Sequence, residues 1–152
     1  MITKQSFIEW NPMLYLGVPL IDKQHEKMIQ LVNNLYSACL QKNESAGHNI
    51  AETINEAVNF LKYHLVTEEK MMLLLEYPEY MSQKKEHEGF IMEILNQINS
   101  LTDKNQRFPN RFFHLLKEWL MLHIIVCDKK FTEYLLNLKN NEKLQSLFPK
   151  PV

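Results

Sequence analysis

Stepped alternately by four and three residues, the chain carries four apolar stripes, each matching the face that a packed helix turns toward its neighbours. The first runs Ile21, His25, Met28, Val32, Leu35 and Cys39; the second runs Ile50, Ile54, Ala57, Leu61, His64, Glu68, Met71 and Leu75. The third runs Tyr80, Gln83, His87, Phe90 and Ile94, with Ile98 and Leu101 beyond. The fourth runs Phe112, Leu116, Trp119, His123 and Val126, and a neighbouring stripe then takes over with Cys127, Phe131, Tyr134 and Leu138. Proline, glycine and polar clusters punctuate the chain at Asn11-Pro12, at Gly17-Val18-Pro19, over 42–49, at Tyr77-Pro78 and over 102–110. The segments between them predict helices over 19–41, 48–75, 79–101 and 110–138. Short loops between long helices make sequential neighbours antiparallel. The expected fold is therefore all-α: an up-down-up-down four-helix bundle over 19–138, an N-terminal arm over 1–18 packed on it, and a tail over 139–152 with a short amphipathic helix around Leu144, Leu147 and Phe148.

Each stripe is broken by polar residues where packing prefers leucine: His25, then His64 and Glu68, then Gln83 and His87, then His123 with nearby Asp128. A neutral histidine is tolerated in a core when it is hydrogen-bonded, but a buried carboxylate without a partner is strongly unfavourable or takes up a proton. No Lys or Arg occupies the central turns of these stripes, so the compensating cation is expected from outside the chain. His64 and Glu68 are four apart, as are Gln83 and His87, and each pair projects from one helical face a turn apart. His123 and Asp128 are five apart, which in a regular α-helix sets Asp128 about 140° round from His123, reaching the site obliquely. Antiparallel packing levels His25, near the start of its helix, with His64, toward the end of the next, and His87 and His123 complete that level.

The donor types narrow the metal. Imidazoles and carboxylates without thiolate suit Fe, Mn or Zn rather than an iron-sulfur cluster or Mg²⁺. Four histidines, two carboxylates and one amide exceed the four ligands of a closed zinc site. They suit two metal ions sharing bridging carboxylates, with an oxo or hydroxo bridge offsetting the remaining charge. The competing reading, satisfied core histidines and surface carboxylates, fits any one of these residues but not a set sharing one level of four helices. His48 and His114 fall outside the pattern and are assigned to the surface.

Composition adds exclusions. The 152 residues suit a single domain, and 3 glycines among abundant Leu, Glu, Lys, Met and Gln agree with helices. A net charge of -1 removes the broad positive field on which non-specific binding to nucleic acid or anionic membranes relies, so neither is an expected partner. No apolar run approaches the roughly 20 residues of a membrane span, and the opening MITKQSFIEW lacks a secretory layout; a cytoplasmic location is expected. Cys39 and Cys127 are too few for a disulfide framework and are read as reduced thiols.

Several segments together carry a resemblance. They are Trp10 with Leu16-Gly17-Val18 and Ile21-Asp22-Lys23-Gln24-His25; Tyr63-His64-Leu65-Val66-Thr67-Glu68-Glu69 with Met72; His87 with Phe90; and Trp119 through Asp128. Over roughly residues 7–134 the chain resembles the hemerythrins, specifically the single-domain bacteriohemerythrins. The resemblance implies reversible O₂ binding at a non-haem centre of two Fe ions inside the bundle. By position it implies that His25 and His64 bind the iron that keeps an open site for O₂, that Glu68 and Asp128 bridge, and that His87 and His123 bind the other iron. The family pattern expects one more histidine four residues before His87, where this chain has Gln83. An amide oxygen is a weaker, harder donor than an imidazole nitrogen, so the second iron is expected to be held less tightly, with Gln83 or water completing it.

O₂ chemistry at iron needs a dry pocket, and Met28, Leu65, Trp119, Leu120 and Ile124, beside or one turn from ligand positions, are the expected wall. Glu69, about 100° round the helix from Glu68, is expected in solvent or hydrogen-bonded to a ligand imidazole. Cys127 is a neighbour four residues after His123. The alternative function is a di-iron redox enzyme, an oxidase or peroxidase-like scavenger enabled by Gln83; a further alternative is a bundle holding a different metal. A ferritin-like site is disfavoured because no Glu-x-x-His pair occurs, and a zincin because no His-Glu-x-x-His occurs.

Overall fold

A computed structural model describes residues 6–40, 46–100 and 110–138. After a single 3₁₀ turn at Pro12–Leu14 come helices α1 (Pro19–Leu40), α2 (Ala46–Leu74), α3 (Tyr80–Asn99), α4 (Asn110–Leu122) and α5 (Lys129–Asn137), with a π-helical segment, His123–Asp128, joining the last two. The expected helices match these to within a few residues at each end, and no strand occurs among the described residues. The amphipathic helix expected in the tail over 139–152 lies outside the described residues. None of the described helices is long and apolar enough to cross a membrane.

Local chemistry sets the ends of the helices. Gly17 has a left-handed φ of 86°, turning its own N–H and that of Leu16 toward Asp22, whose Oδ2 and Oδ1 accept them at 3.0 and 2.8 Å. Pro19 then opens α1, where a missing N–H costs nothing, and the Asp22 carboxylate lies in the first turn, where the helix dipole favours an anion. At the other end of α2, Glu76 takes a left-handed φ of 54°, with Tyr77 N–H donating to Met72 O at 2.9 Å and Glu76 N–H to Leu73 O at 3.3 Å. This pair of bonds satisfies the last carbonyls, and Pro78 then prevents continuation. Tyr134 reaches across from α5 and donates its hydroxyl to Leu75 O at 2.8 Å, fastening the turn.

The long helices run antiparallel. His25 near the start of α1 meets His64 near the end of α2, ring centroids 4.9 Å apart. Gln83 early in α3 contacts Cys127 beyond the end of α4, while Ile94 and Ile98 later in α3 line the same cavity as Phe112 and Leu116 early in α4. The core falls into two apolar clusters. One joins Met28, Val32, Leu35, Leu61, Leu65, Phe90, Ile94, Phe112, Leu116, Leu120 and Ile124; the other joins Val18, Ile21, Met71, Met72, Leu75, Tyr77, Phe131 and Leu135. The buried polar residues of the four stripes belong to neither cluster.

The fourth stripe departs from expectation. A continuous α-helix was expected over 110–138 with Val126 on its inner face, yet Val126 is 57% exposed. The cause is the π segment, where Lys129 N–H bonds Ile124 O five residues back instead of four. The extra residue in that turn carries Asp128 onto the face of His123, so both are buried and Asp128 points directly inward, not obliquely.

The N-terminal arm is strapped to the bundle. Asn33 Oδ1 accepts from Ile8 N–H at 2.8 Å and its amide donates back to Ile8 O at 2.9 Å, while Phe7 stacks on Tyr36 with centroids 4.4 Å apart. Asn33→Ala leaves both Ile8 groups without that partner and is expected to cost about 1–3 kcal/mol. Chemical denaturation checks this: the midpoint should fall at an unchanged slope, and an unaltered midpoint contradicts the strap.

Candidate metal centre

Six of the seven polar interruptions converge at one level of the bundle. His25, His64, Glu68 and Asp128 form one group in which an Nδ1, Nε2 or carboxylate oxygen from each lies within 4.8 Å of the others, and Glu68, His87 and His123 form a second. All six are buried, Glu68 and Asp128 completely. The arrangement of oxygens is specific. Asp128 turns Oδ2 to His25 Nε2 at 2.8 Å and to His64 Nε2 at 3.7 Å, and turns Oδ1 to His123 Nε2 at 2.9 Å. Glu68 turns Oε1 to His64 Nε2 at 3.1 Å, and Oε2 to His123 Nε2 at 3.3 Å and His87 Nε2 at 3.7 Å. Each carboxylate thus offers one oxygen to each histidine pair.

Outer partners set the imidazole orientations. His64 Nδ1 lies 2.8 Å from Gln24 Oε1 and His87 Nδ1 lies 3.0 Å from Glu69 Oε1. Both oxygens only accept, so each Nδ1 carries the proton and each Nε2 presents its lone pair to the centre. The lone pairs of His64 Nε2 and His87 Nε2 therefore face carboxylate oxygens with no proton between them, and these two nitrogens, Glu68 Oε1 and Gln83 Oε1 are buried without a hydrogen bond. Stranding so many buried polar atoms is strongly unfavourable for a folded core, and cations among them would satisfy these atoms together. The donor set of two imidazoles per half, two shared carboxylates and one amide fits a pair of first-row metal ions.

Charge follows the same division. Burial lowers His64, but the carboxylates of Glu68 and Asp128 outweigh it and raise the imidazole to about 9. His123 is also raised well above its ordinary value, burial opposing and Asp128 supporting. Against burial, His123, His25 and His64 hold Asp128 well below the carboxylate range. Glu68 is also held low, against both burial and the Asp128 charge, by His64 and His123. His87 moves the opposite way, lowered by burial and by the charge on His123. Two anions are therefore matched by two imidazolium cations when protons alone supply the positive charge.

Gln83 is buried one turn before His87, with Nε2 donating to Cys127 O at 3.3 Å. Among the expected pocket wall, Met28 and Leu120 line an apolar cavity that extends away from the histidines past Val32, Leu35, Leu61 and Leu116. Leu65 and Ile124 pack in the same core but do not line that cavity. Trp119 stacks on His123 with centroids 4.5 Å apart and on Phe90 at 3.5 Å. Cys127 is half-buried with Sγ 3.6 Å from Glu86 Oε2, and His114 is exposed. The side chain of His48 lies outside the described residues. The role of Gln24 was missed; the signal was a second register of the first stripe, Ile21, Gln24, Met28, Leu31, Leu35, whose members are all buried.

A family model for the hemerythrin HHE cation binding domain matches residues 16–135. A bacteriohemerythrin of Pseudomonas aeruginosa is 30% identical over 119 residues, covering 78% of this chain and 75% of its own length. One from Stenotrophomonas maltophilia is 26% identical over 128 residues, covering 84% and 81%. The crystal structure of a mutant hemerythrin superposes with a TM-score of 0.71 at 19% identity, covering 85% of this chain and 97% of that one, which shows the fold to be shared.

The pairing of charges sets the pH response of the protein stripped of metal by a chelator. The folded pKa of His64, about 9, lies above its ordinary 6.5, so its stabilisation is complete below about 6.5 and is lost as pH rises through about 9. Asp128 acts in the opposite sense, its contribution being lost as pH falls toward its depressed folded value. Thermal unfolding of the chelated protein should show its midpoint falling between pH 6.5 and 9; a midpoint rising over that range contradicts the pairing.

Proposed function

The chain belongs to the hemerythrin family, and on that premise we propose that it is a non-haem di-iron protein that binds O₂ reversibly, as a cytoplasmic carrier, store or sensor. The observation that carries this reading is the division of each carboxylate between the two histidine pairs, the arrangement of oxygens that bridging two ions requires. His25 and His64 would hold one iron, the half read as the one that meets O₂, and His87, His123 and Gln83 would hold the other, with Glu68 and Asp128 shared between the two. When bound, two ferrous ions supply the electrons that reversible O₂ binding draws on.

The chain's own part is to position and to exclude. Gln24 and Glu69 hold the His64 and His87 rings with Nε2 inward. The apolar cavity beyond Met28 and Leu120 keeps bulk water from that end of the centre, and the cluster around Met72, Phe131 and Leu135 closes the other. Dry surroundings oppose the proton delivery that would release reduced oxygen species. With its half-buried face on His123, Trp119 restrains that ring.

Metal analysis of protein purified without air, followed by visible spectra as O₂ is added and removed, tests the proposal. About two irons per chain and a charge-transfer band that appears and disappears with O₂ are expected. Irreversible bleaching with continued peroxide consumption points to a di-iron redox enzyme instead, and one zinc or no metal overturns both.

A further inference from the structure

The two halves of the centre differ in the charge of what stands behind one histidine of each, His64 and His87. In the first half the proton on His64 Nδ1 goes to Gln24 Oε1, a neutral amide, at 2.8 Å. In the second half the proton on His87 Nδ1 goes to Glu69 Oε1, a carboxylate, at 3.0 Å. Glu69 is only 17% exposed and His87 only 2%, so this pair sits largely inside the protein, where solvent weakens the interaction little. A carboxylate behind an imidazole makes its other nitrogen a stronger donor, and it adds negative charge that a neutral amide does not.

The difference falls on the half that needs it. Gln83 stands one turn before His87 on the same face of α3, buried, with Oε1 unpartnered and Nε2 held by Cys127 O. An amide oxygen is a weaker donor to a first-row ion than imidazole nitrogen. Of the two halves, the one with the weaker donor is the one backed by an anion.

We propose that Glu69 is a positioning residue that restores to the His87–His123 half the metal affinity lost by having Gln83 in place of an imidazole, so that the two ions are held by different means. The inference rests on the two-metal reading above. It also assigns the halves different sensitivities: the His25–His64 half depends on a neutral partner, and the His87–His123 half depends on a charge.

Titration of the chelated, refolded chain with Fe(II) in the absence of air, in competition with a chromophoric chelator, tests it. Glu69→Gln keeps an accepting oxygen for His87 Nδ1 and removes the charge. The variant is expected to weaken one of the two equivalents about 10–100-fold and to leave the other within about threefold. Adding Gln83→His to Glu69→Gln should return most of the lost affinity, a rescue that a merely structural role for Glu69 would not give. Glu69→Gln weakening both equivalents alike, or neither, overturns the proposal, as does a double variant no tighter than the single one. A wild-type chain that takes up fewer than two equivalents overturns the two-metal reading itself, which separates that failure from a failure of the role of Glu69.

Discussion

Two carboxylates, Glu68 and Asp128, are fully buried in the middle of a helical bundle, with no Lys or Arg of the described residues paired to them. That is the constraint the rest of the structure serves. An uncompensated buried anion is among the most unfavourable things a core can contain, and two close together add their mutual repulsion. The chain meets this with four imidazoles arranged so that every carboxylate oxygen faces at least one ring nitrogen. Imidazoles can answer an anion in two ways, by carrying a proton or by sharing a cation, and a hemerythrin-type centre uses the second.

The architecture follows from the need to bring six side chains from four helical stretches to one level. Antiparallel packing supplies most of it, since the start of one helix lies beside the end of the next. The last carboxylate needs more. Five residues separate Asp128 from His123, and a regular α-helix would turn it aside; the π segment inserts the residue that brings it inward. Apolar clusters on either side isolate the polar level from water, which strengthens each interaction inside it. Gln24 and Glu69 then fix the rings from behind, and the neutral one and the charged one make the two halves unequal.

Much of this was legible in the sequence because it rests on periodicity. Stripes stepping by four and three located the helices, and polar residues on those stripes located His25, His64, Glu68, Gln83, His87, His123 and Asp128. What escaped was what breaks the period. A π segment has no residue signature in His-Ile-Ile-Val-Cys-Asp, so Val126 was expected inside and is exposed. Gln24 lies on a second register of its stripe to which no role was assigned, and the offset of Glu69 from Glu68 left solvent and an imidazole partner equally open; the structure puts it on His87. The left-handed Glu76 was likewise invisible, because that conformation usually announces itself through glycine.

The central claim is that Glu68 and Asp128 each bridge two ions. The most direct measurement is anomalous diffraction at the iron edge from crystals of protein loaded with iron without air. The account predicts two anomalous peaks, one beside His25 and His64 and one beside His87 and His123, with one oxygen of each carboxylate within about 2.0–2.2 Å of each peak, the range of metal-carboxylate bonds. A single peak, or two peaks with either carboxylate bound to only one of them, would contradict it.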